Sequence, residues 1–180
     1  MKAVLDTCVI YPTVMREMLL GAAKLGHFTP VWSARILEEW ARAARKLGPE
    51  GEVQARAEIA LVQANWPDAE HPAAPGAEQR LWLPDAADIH VLATAVTSSS
   101  DAIVTVNAKD FPKNILAEEG LDRRDPDGLL HGFWLSDPEG MSQIATSVLS
   151  VANRLSGDNW TLRTLMKKAR LPRLGKALAD

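Results

Sequence analysis

The sequence contains a single cysteine, Cys8, and no uninterrupted apolar run that approaches the ~18 residues of a membrane-spanning helix. One cysteine excludes an internal disulfide, so we expect a protein of the reducing cytoplasm with no membrane association. The apolar start of the chain is interrupted at Asp6, which argues against a signal peptide. A GxGxxG run is also missing, and its absence argues against a dinucleotide-binding domain.

The overall composition is that of an ordinary folded protein. Of the 180 residues, 47% are hydrophobic and 24% are charged, which is typical of a globular chain with a sizeable core. The net charge of −3 is unevenly distributed, because residues 151–180 carry +5 and the first 150 residues therefore carry −8. This split suggests a cation site in the acidic part and a polyanion-binding edge in the tail, although a solvated basic helix would give the same pattern.

Short strand patterns alternate with helical patterns over most of the chain. The first strand is predicted at residues 2–5, the clearest one at 102–106, and another at the polar segment 121–123. Residues 67–78 are rich in Pro, Ala and Gly and predict a loop, whereas residues 126–180 follow a helical pattern. Alternating strands and helices predict an α/β fold in which helices cover both faces of a parallel sheet.

Four acidic positions fall where such a sheet would bind a ligand. Asp6 ends the first strand, and Asp110 follows a strand end with Asn107 three residues before it. Asp88 opens a helix at the same rim, and Glu39 borders the buried face of its own helix. Carboxylates that share a pocket repel one another unless a cation or protons compensate, and hard oxygen ligands suit Mg²⁺ or Mn²⁺. Such an ion could activate a phosphodiester towards hydrolysis.

Each of these acids also has a purely structural explanation. Asp6 could cap the following turn, and Asp110 could end a turn. Asp85 and Asp88 fit an N-cap and N3 pair, and we expect Asp85 to be such a cap. Glu39 could be a surface charge. The individual signals are weak, and only their combination favours a metal site.

Two neighbouring residues have simpler interpretations. A haloacid-dehalogenase-type phosphatase needs a second aspartate two residues after the first, and Cys8 stands at that position. We interpret Cys8 as a small buried residue and not as a nucleophile. His90 follows Asp88 on the same helix, and a lone histidine there is more often packed or exposed than functional.

Four segments resemble, in order and spacing, the motifs of the PIN-domain ribonucleases: LDTCVI, ILEEW, PDAADIHVLATA and VTVNAKDFP. The resemblance is especially close to the branch that includes VapC-type toxins of toxin–antitoxin systems. It implies a PIN-like three-layer α/β/α fold with a central parallel sheet, formed by a catalytic domain at residues 1–125. GLDRRDPDGLLHGFW and TLRTLMKKARLPRLGKAL are similar to the helical C-terminal extension of one subgroup, which implies a second region at residues 126–180.

The resemblance also implies a function and a site. The implied activity is hydrolysis of RNA by a Mg²⁺- or Mn²⁺-dependent endoribonuclease, with a cognate antitoxin as partner and a homodimer as the assembly. The implied catalytic acids are Asp6, Glu39, Asp88 and Asp110, and the implied metal ligands are these four and Asn107. Many relatives carry aspartate at the position of Asn107, so either Asn107 or Asp110 could complete the site. The alternative is a catalytically weak or inactive PIN-like module that binds RNA or protein.

Overall fold

The computed structural model describes residues 1–179, which divide into two compact units. The first unit comprises residues 1–11 and 29–123, and the second comprises residues 12–28 and the chain after Arg123. The expected boundary between residues 125 and 126 stays a prediction. None of the helices in residues 1–179 combines the length and the apolar character that crossing a membrane would require.

A five-stranded sheet lies at the centre of the first unit. Its strands are β1 (Lys2–Leu5), β2 (Thr29–Ser33), β3 (Glu70–His71), β4 (Ala102–Val104) and β5 (Asp122–Arg124), and their order in the sheet is β3-β2-β1-β4-β5. β1 pairs in parallel with β2 and β4, and β2 pairs in parallel with β3. The central strand β1 is completely buried at Ala3, Val4 and Leu5, so the core of this unit is built around it.

The register of the two central strands positions the site. Leu5 of β1 is paired with Val104 of β4, and the next backbone N–H, from Asp6, donates to the Val104 carbonyl at 3.1 Å. Because parallel strands run in the same direction, the residues that follow β1 and β4 emerge side by side at the carboxyl edge of the sheet.

The helices are α1 (Thr7–Ile10), α2 (Thr13–Lys24), α3 (Ala34–Ala43), α4 (Pro49–Asn65), α5 (Pro75–Glu78), α6 (Ile89–Thr97), α7 (Lys113–Glu118), α8 (Pro126–Ser136), α9 (Pro138–Ser156), α10 (Leu162–Lys168) and α11 (Pro172–Ala177). Two short 3₁₀ segments, Ala44–Leu47 and Ala86–Asp88, follow α3 and precede α6. In the first unit, α6 packs on β1, β2 and β4, and α3 packs on β2. In the second unit, α2 packs on α8 and α9, and α11 packs on α8 and α10.

The predicted fold class is confirmed: a parallel sheet is flanked by helices, and further helices follow it. The prediction of a loop at residues 67–78 is wrong in part, because this segment contains β3 and α5. β3 exists because β2 offers it a free edge, where the Trp32 N–H donates to the Ala69 carbonyl at 3.0 Å. The strand predicted at 102–106 ends at Val104, because the chain then turns and the Asn107 N–H donates to Thr105 Oγ1 at 2.9 Å.

Candidate metal centre

Three carboxylates meet at the carboxyl edge of the sheet. Asp85, Asp88 and Asp110 each offer an oxygen, and these oxygens lie within 4.8 Å of one another. Asp85 is the expected cap, because its Oδ1 accepts a hydrogen bond from the Ala87 N–H at 2.8 Å. Asp88 lies at the start of α6 but caps no backbone N–H, so its carboxylate is not needed to hold the helix.

Asn107 connects two of these acids. Its amide Nδ2 donates to Asp110 at 2.8 Å and to Asp88 at 3.4 Å, and its Oδ1 accepts from the Asp110 N–H at 3.4 Å. The backbone N–H of Asn107 donates to Thr105 Oγ1 at 2.9 Å, which fixes the turn after β4. The structure therefore places Asn107 between Asp88 and Asp110 as a hydrogen-bonding bridge, and its assignment as a metal ligand stays a prediction.

Asp6 is buried and held by one oxygen only. Its Oδ2 accepts from Thr105 Oγ1 at 2.7 Å and from Cys8 Sγ at 3.0 Å, while within residues 1–179 no donor contacts its Oδ1. One oxygen therefore fixes the side chain, and the other remains available to a ligand. Burial, and then the Asp6 charge, raise the pKa of the Cys8 thiol to about 12, so the thiol stays protonated at neutral pH and acts as a donor.

Glu39 enters the region from α3 and contacts α6. Its Oε2 accepts from Thr7 Oγ1 at 2.9 Å, its Oε1 lies 2.8 Å from His90 Nε2, and Arg35 lies 3.6 Å away. Burial alone would raise the pKa of Glu39, but the neighbouring His90, Thr7 and Arg35 outweigh it and hold the pKa below its ordinary value. Sequence reasoning missed the role of the buried His90 as a partner of Glu39, and the only signal was its position two residues after Asp88.

The acids act on one another through their charges. The pKa of Asp88 is raised from an ordinary value of 3.8 to about 6, first by burial and then by the charges of Asp6, Asp85, Asp110 and Glu39. All four predicted acids therefore belong to one electrostatic neighbourhood. Among residues 1–179, Asp88 forms no ion pair with a basic side chain.

The predicted site residues thus fall into two groups. Asp88, Asn107 and Asp110 are in direct contact or close proximity. Asp85 joins them, although it was predicted as a helix cap and not as a metal ligand. Asp6 and Glu39 lie outside the group of oxygens within 4.8 Å, and they reach Asp88 only through their charges. The donors are carboxylate and amide oxygens, which fit a hard divalent cation such as Mg²⁺ or Mn²⁺.

A family model described as PIN domain matches residues 2–109, which is more than half of the chain and contains every residue of the candidate centre except Asp110. No curated protein and no solved structure matches the chain.

Proposed function

Because the chain belongs to the PIN-domain family, we propose that it is a metal-dependent endoribonuclease that hydrolyses phosphodiester bonds in RNA. PIN domains are generally metal-dependent nucleases, and PIN nucleases act on RNA. The observation that carries the proposal is the group of carboxylate oxygens from Asp85, Asp88 and Asp110, which lie within 4.8 Å of one another. Burial and the surrounding carboxylates raise the pKa of Asp88 to about 6, in agreement with this crowding. Such a group of acids is destabilising unless a cation offsets the repulsion.

The ligand set that we propose combines the two groups of acids. Asp6, Glu39, Asp88, Asn107 and Asp110 would hold a single Mg²⁺ or Mn²⁺ ion or a pair of them. When bound, the ion would polarise the scissile phosphate and promote attack by water. This scheme needs no cysteine or serine nucleophile, and Cys8 is a protonated donor to Asp6.

The residues around Asp6 and Glu39 act by orienting these two carboxylates. Thr105 donates to Asp6 and leaves the other oxygen of this carboxylate unoccupied by protein donors among the described residues. Thr7 and His90 contact opposite oxygens of Glu39, which fixes the plane of its carboxylate. Partners of this kind keep ligands in position before an ion arrives, and their loss commonly weakens metal binding by ~10–100-fold.

The proposal is tested by single-turnover cleavage of a mixed RNA pool with Mg²⁺ or Mn²⁺, compared with the same reaction in EDTA. We expect cleavage that requires the metal and that falls by at least ~100-fold in Asp6→Asn and Asp88→Asn. Asp68→Asn is the matched control, because Asp68 is exposed and makes no hydrogen bond or ion pair with residues 1–179. A folded Asp88→Asn protein that cleaves at the wild-type rate would show that the assigned site is wrong.

Glu39 and its neighbour offer a second matched pair. Glu38 stands beside Glu39 in the sequence but pairs with Arg42 and Arg56 on the surface. Glu39→Gln should lose cleavage and Glu38→Gln should keep it. Equal loss in both variants would mean that α3 is merely disturbed and that Glu39 has no special role.

We further propose that the protein is the toxin of a toxin–antitoxin pair and forms a homodimer. The four motif segments and the helical C-terminal region support this proposal through their resemblance to VapC-type toxins. Co-expression with the neighbouring gene should yield a small copurifying protein that suppresses cleavage, and light scattering should report a dimer. A monomer at micromolar concentration without a copurifying protein would contradict both statements.

The alternative function is binding of RNA or protein without cleavage. It is disfavoured because a cluster of acids with no cation to bind would destabilise the fold without any benefit. Binding of RNA in the presence of Mn²⁺, with no cleavage product after prolonged incubation, would support this alternative.

A further inference from the structure

A pocket of about 360 Å³ lies between α8 and α11 in the second unit. It is lined by His131, Trp134, Arg173, Lys176 and Ala177, and none of these residues belongs to the candidate metal centre. Two of the five carry a positive charge, two are aromatic rings, and none is acidic. In a chain of net charge −3, this combination needs an explanation.

The pocket has an aromatic wall and a cationic wall. His131 and Trp134 are three residues apart on α8, and their rings stack with centroids 6.0 Å apart and planes inclined by 19°. Arg173 and Lys176 are likewise three residues apart on α11. Residues at this spacing share one helix face, so each wall presents its two side chains together.

The packing of α11 holds the two walls in place. The buried carboxylate of Asp127 on α8 accepts hydrogen bonds from the backbone N–H groups of Arg173, at 2.9 Å, and Leu174, at 3.0 Å. On its other side, α11 approaches α10 so closely at Gly175 that an added Cβ would lie 2.8 Å from Met166 Cβ. The cations are therefore carried by a fixed backbone and not by a loose tail.

The two cations are unused within the described chain. In residues 1–179, neither the Arg173 guanidinium nor the Lys176 ammonium forms an ion pair or a hydrogen bond. Arginines of the first unit behave differently, since Arg56 and Arg80, for example, each bind glutamate. Two cations without an anionic partner in residues 1–179 would suit the phosphates of a ligand, and the ring pair would suit a flat group on the same ligand.

We propose that this pocket binds single-stranded RNA, with one unpaired base stacked on the His131–Trp134 pair and neighbouring phosphates bound by Arg173 and Lys176. Aromatic faces and basic side chains in one groove are the usual means of holding single-stranded nucleic acid. An acidic peptide would use the cations but leave the rings without a partner. The proposal rests on the proposed function only in taking RNA as the ligand, and it needs none of the acids.

The test is the binding of a fluorescein-labelled single-stranded RNA of about 12 nucleotides to the full chain in EDTA, measured by anisotropy over a range of salt concentrations. Arg173→Gln/Lys176→Gln should weaken binding about tenfold at low salt and lower the slope of log affinity against log salt by about 1.4. The matched control is Arg163→Gln/Lys167→Gln, which removes the same charge from α10 outside the pocket. This control should bind within about twofold of wild type.

The aromatic wall is tested separately from the charge. Trp134→Leu should weaken binding about tenfold and leave the salt slope unchanged, whereas Trp134→Phe keeps a ring and should bind within about twofold of wild type. Circular dichroism and the thermal midpoint show whether each variant is folded. If Trp134→Leu misfolds, two single variants test the same wall, because His131→Leu removes a ring and Trp134→Phe keeps one.

Three results would overturn the proposal. Equal weakening of RNA binding by the two charge variants would assign binding to the basic tail as a whole. Unchanged RNA affinity in a folded variant that lacks the aromatic wall would show that no base stacks there. Competition by polyglutamate as effective as that by unlabelled RNA would identify an acidic-peptide site instead. The binding assay is carried out in EDTA and does not depend on cleavage. A failure to cleave RNA with Mg²⁺ would therefore refute the proposed function without affecting the test of RNA binding at this pocket.

Discussion

Replacing Asp88 by asparagine should stabilise the protein when no metal is present. The substitution keeps the shape of the side chain and removes one charge from a region where Asp6, Asp85, Asp110 and Glu39 all repel it. The helix loses nothing, because the Asp88 side chain caps no backbone N–H at the start of α6. A substitution in a proposed catalytic site that increases stability is the expected signature of acids that are placed together for binding and not for folding.

The magnitude and its pH dependence follow from the pKa of Asp88, which rises from 3.8 to about 6 on folding. The native state therefore binds the proton more tightly than the unfolded state, and stability falls as pH rises between these two values and then levels off. The full shift would correspond to about 3 kcal/mol. Because Asp88 is only partly buried, solvent screening reduces the effect to about 1 kcal/mol.

The assay is thermal unfolding in EDTA at a series of pH values from about 4 to 8. At pH 8, Asp88→Asn should melt about 2–4 °C above wild type, and near pH 4 the difference should disappear. Asp68→Asn removes an exposed aspartate and should show neither effect. Millimolar Mn²⁺ should reverse the order of the two thermal midpoints. The ion stabilises the wild type by binding its native state, whereas the variant lacks one of the ligands.

Two results would refute this reasoning. If Asp88→Asn is less stable than wild type at pH 8 in EDTA, the hydrogen bond that the carboxylate accepts from Asn107 outweighs the repulsion, and the cluster is not repulsive on balance. If the wild-type midpoint does not respond to Mn²⁺ at any pH, the acids do not form a shared cation site.

Three further predictions concern the supports of the site. Ser33→Ala removes the side chain that accepts from the Ile36 N–H at the start of α3, and it should lower stability by about 1 kcal/mol and the thermal midpoint by about 2–4 °C. Thr105→Val removes the hydroxyl that donates to Asp6, so calorimetry should show Mn²⁺ affinity reduced by ~10-fold or more, with Thr105→Ser close to wild type. The pKa of Cys8, raised to about 12, predicts that iodoacetamide at pH 8 labels the native protein far more slowly than the protein in urea, and rapid labelling detected by intact mass would contradict it.

The position of the acids was accessible from the sequence because it depends on strand direction. A short apolar strand that ends in Asp6 and a second one that ends before Asn107 and Asp110 must deliver these side chains to the same edge if the strands are parallel and adjacent. The observed pairing of β1 with β4 satisfies both conditions. Local pattern and a general rule of α/β sheets were therefore sufficient for this part of the centre.

Other features could not be predicted because they depend on contacts between distant elements. His90 meets Glu39 only through the way α6 and α3 pack, and no local periodicity encodes that approach. Asp85 was correctly predicted as a cap, and its Oδ1 accepts from the Ala87 N–H. A carboxylate has two oxygens, so the same side chain can also belong to the cluster with Asp88 and Asp110, which the cap pattern does not reveal. β3 has two residues, too few for an alternating pattern, and it forms because β2 exposes an edge.

The contrast between this cluster and the other acids of the chain is the strongest argument for its role. Hydrogen bonds from Arg56 and Arg42 lower the pKa of Glu38 to about 2, and hydrogen bonds from Arg45 and Arg56 lower the pKa of Glu52 to about 2. The same chain leaves Asp88 among carboxylates with its pKa raised to about 6. Among residues 1–179, Glu39 has Arg35 as a neighbour at 3.6 Å, whereas Asp88 forms no ion pair with a basic side chain. This contrast with Glu38 and Glu52 supports the proposed cation site, because a bound ion would supply the missing positive charge.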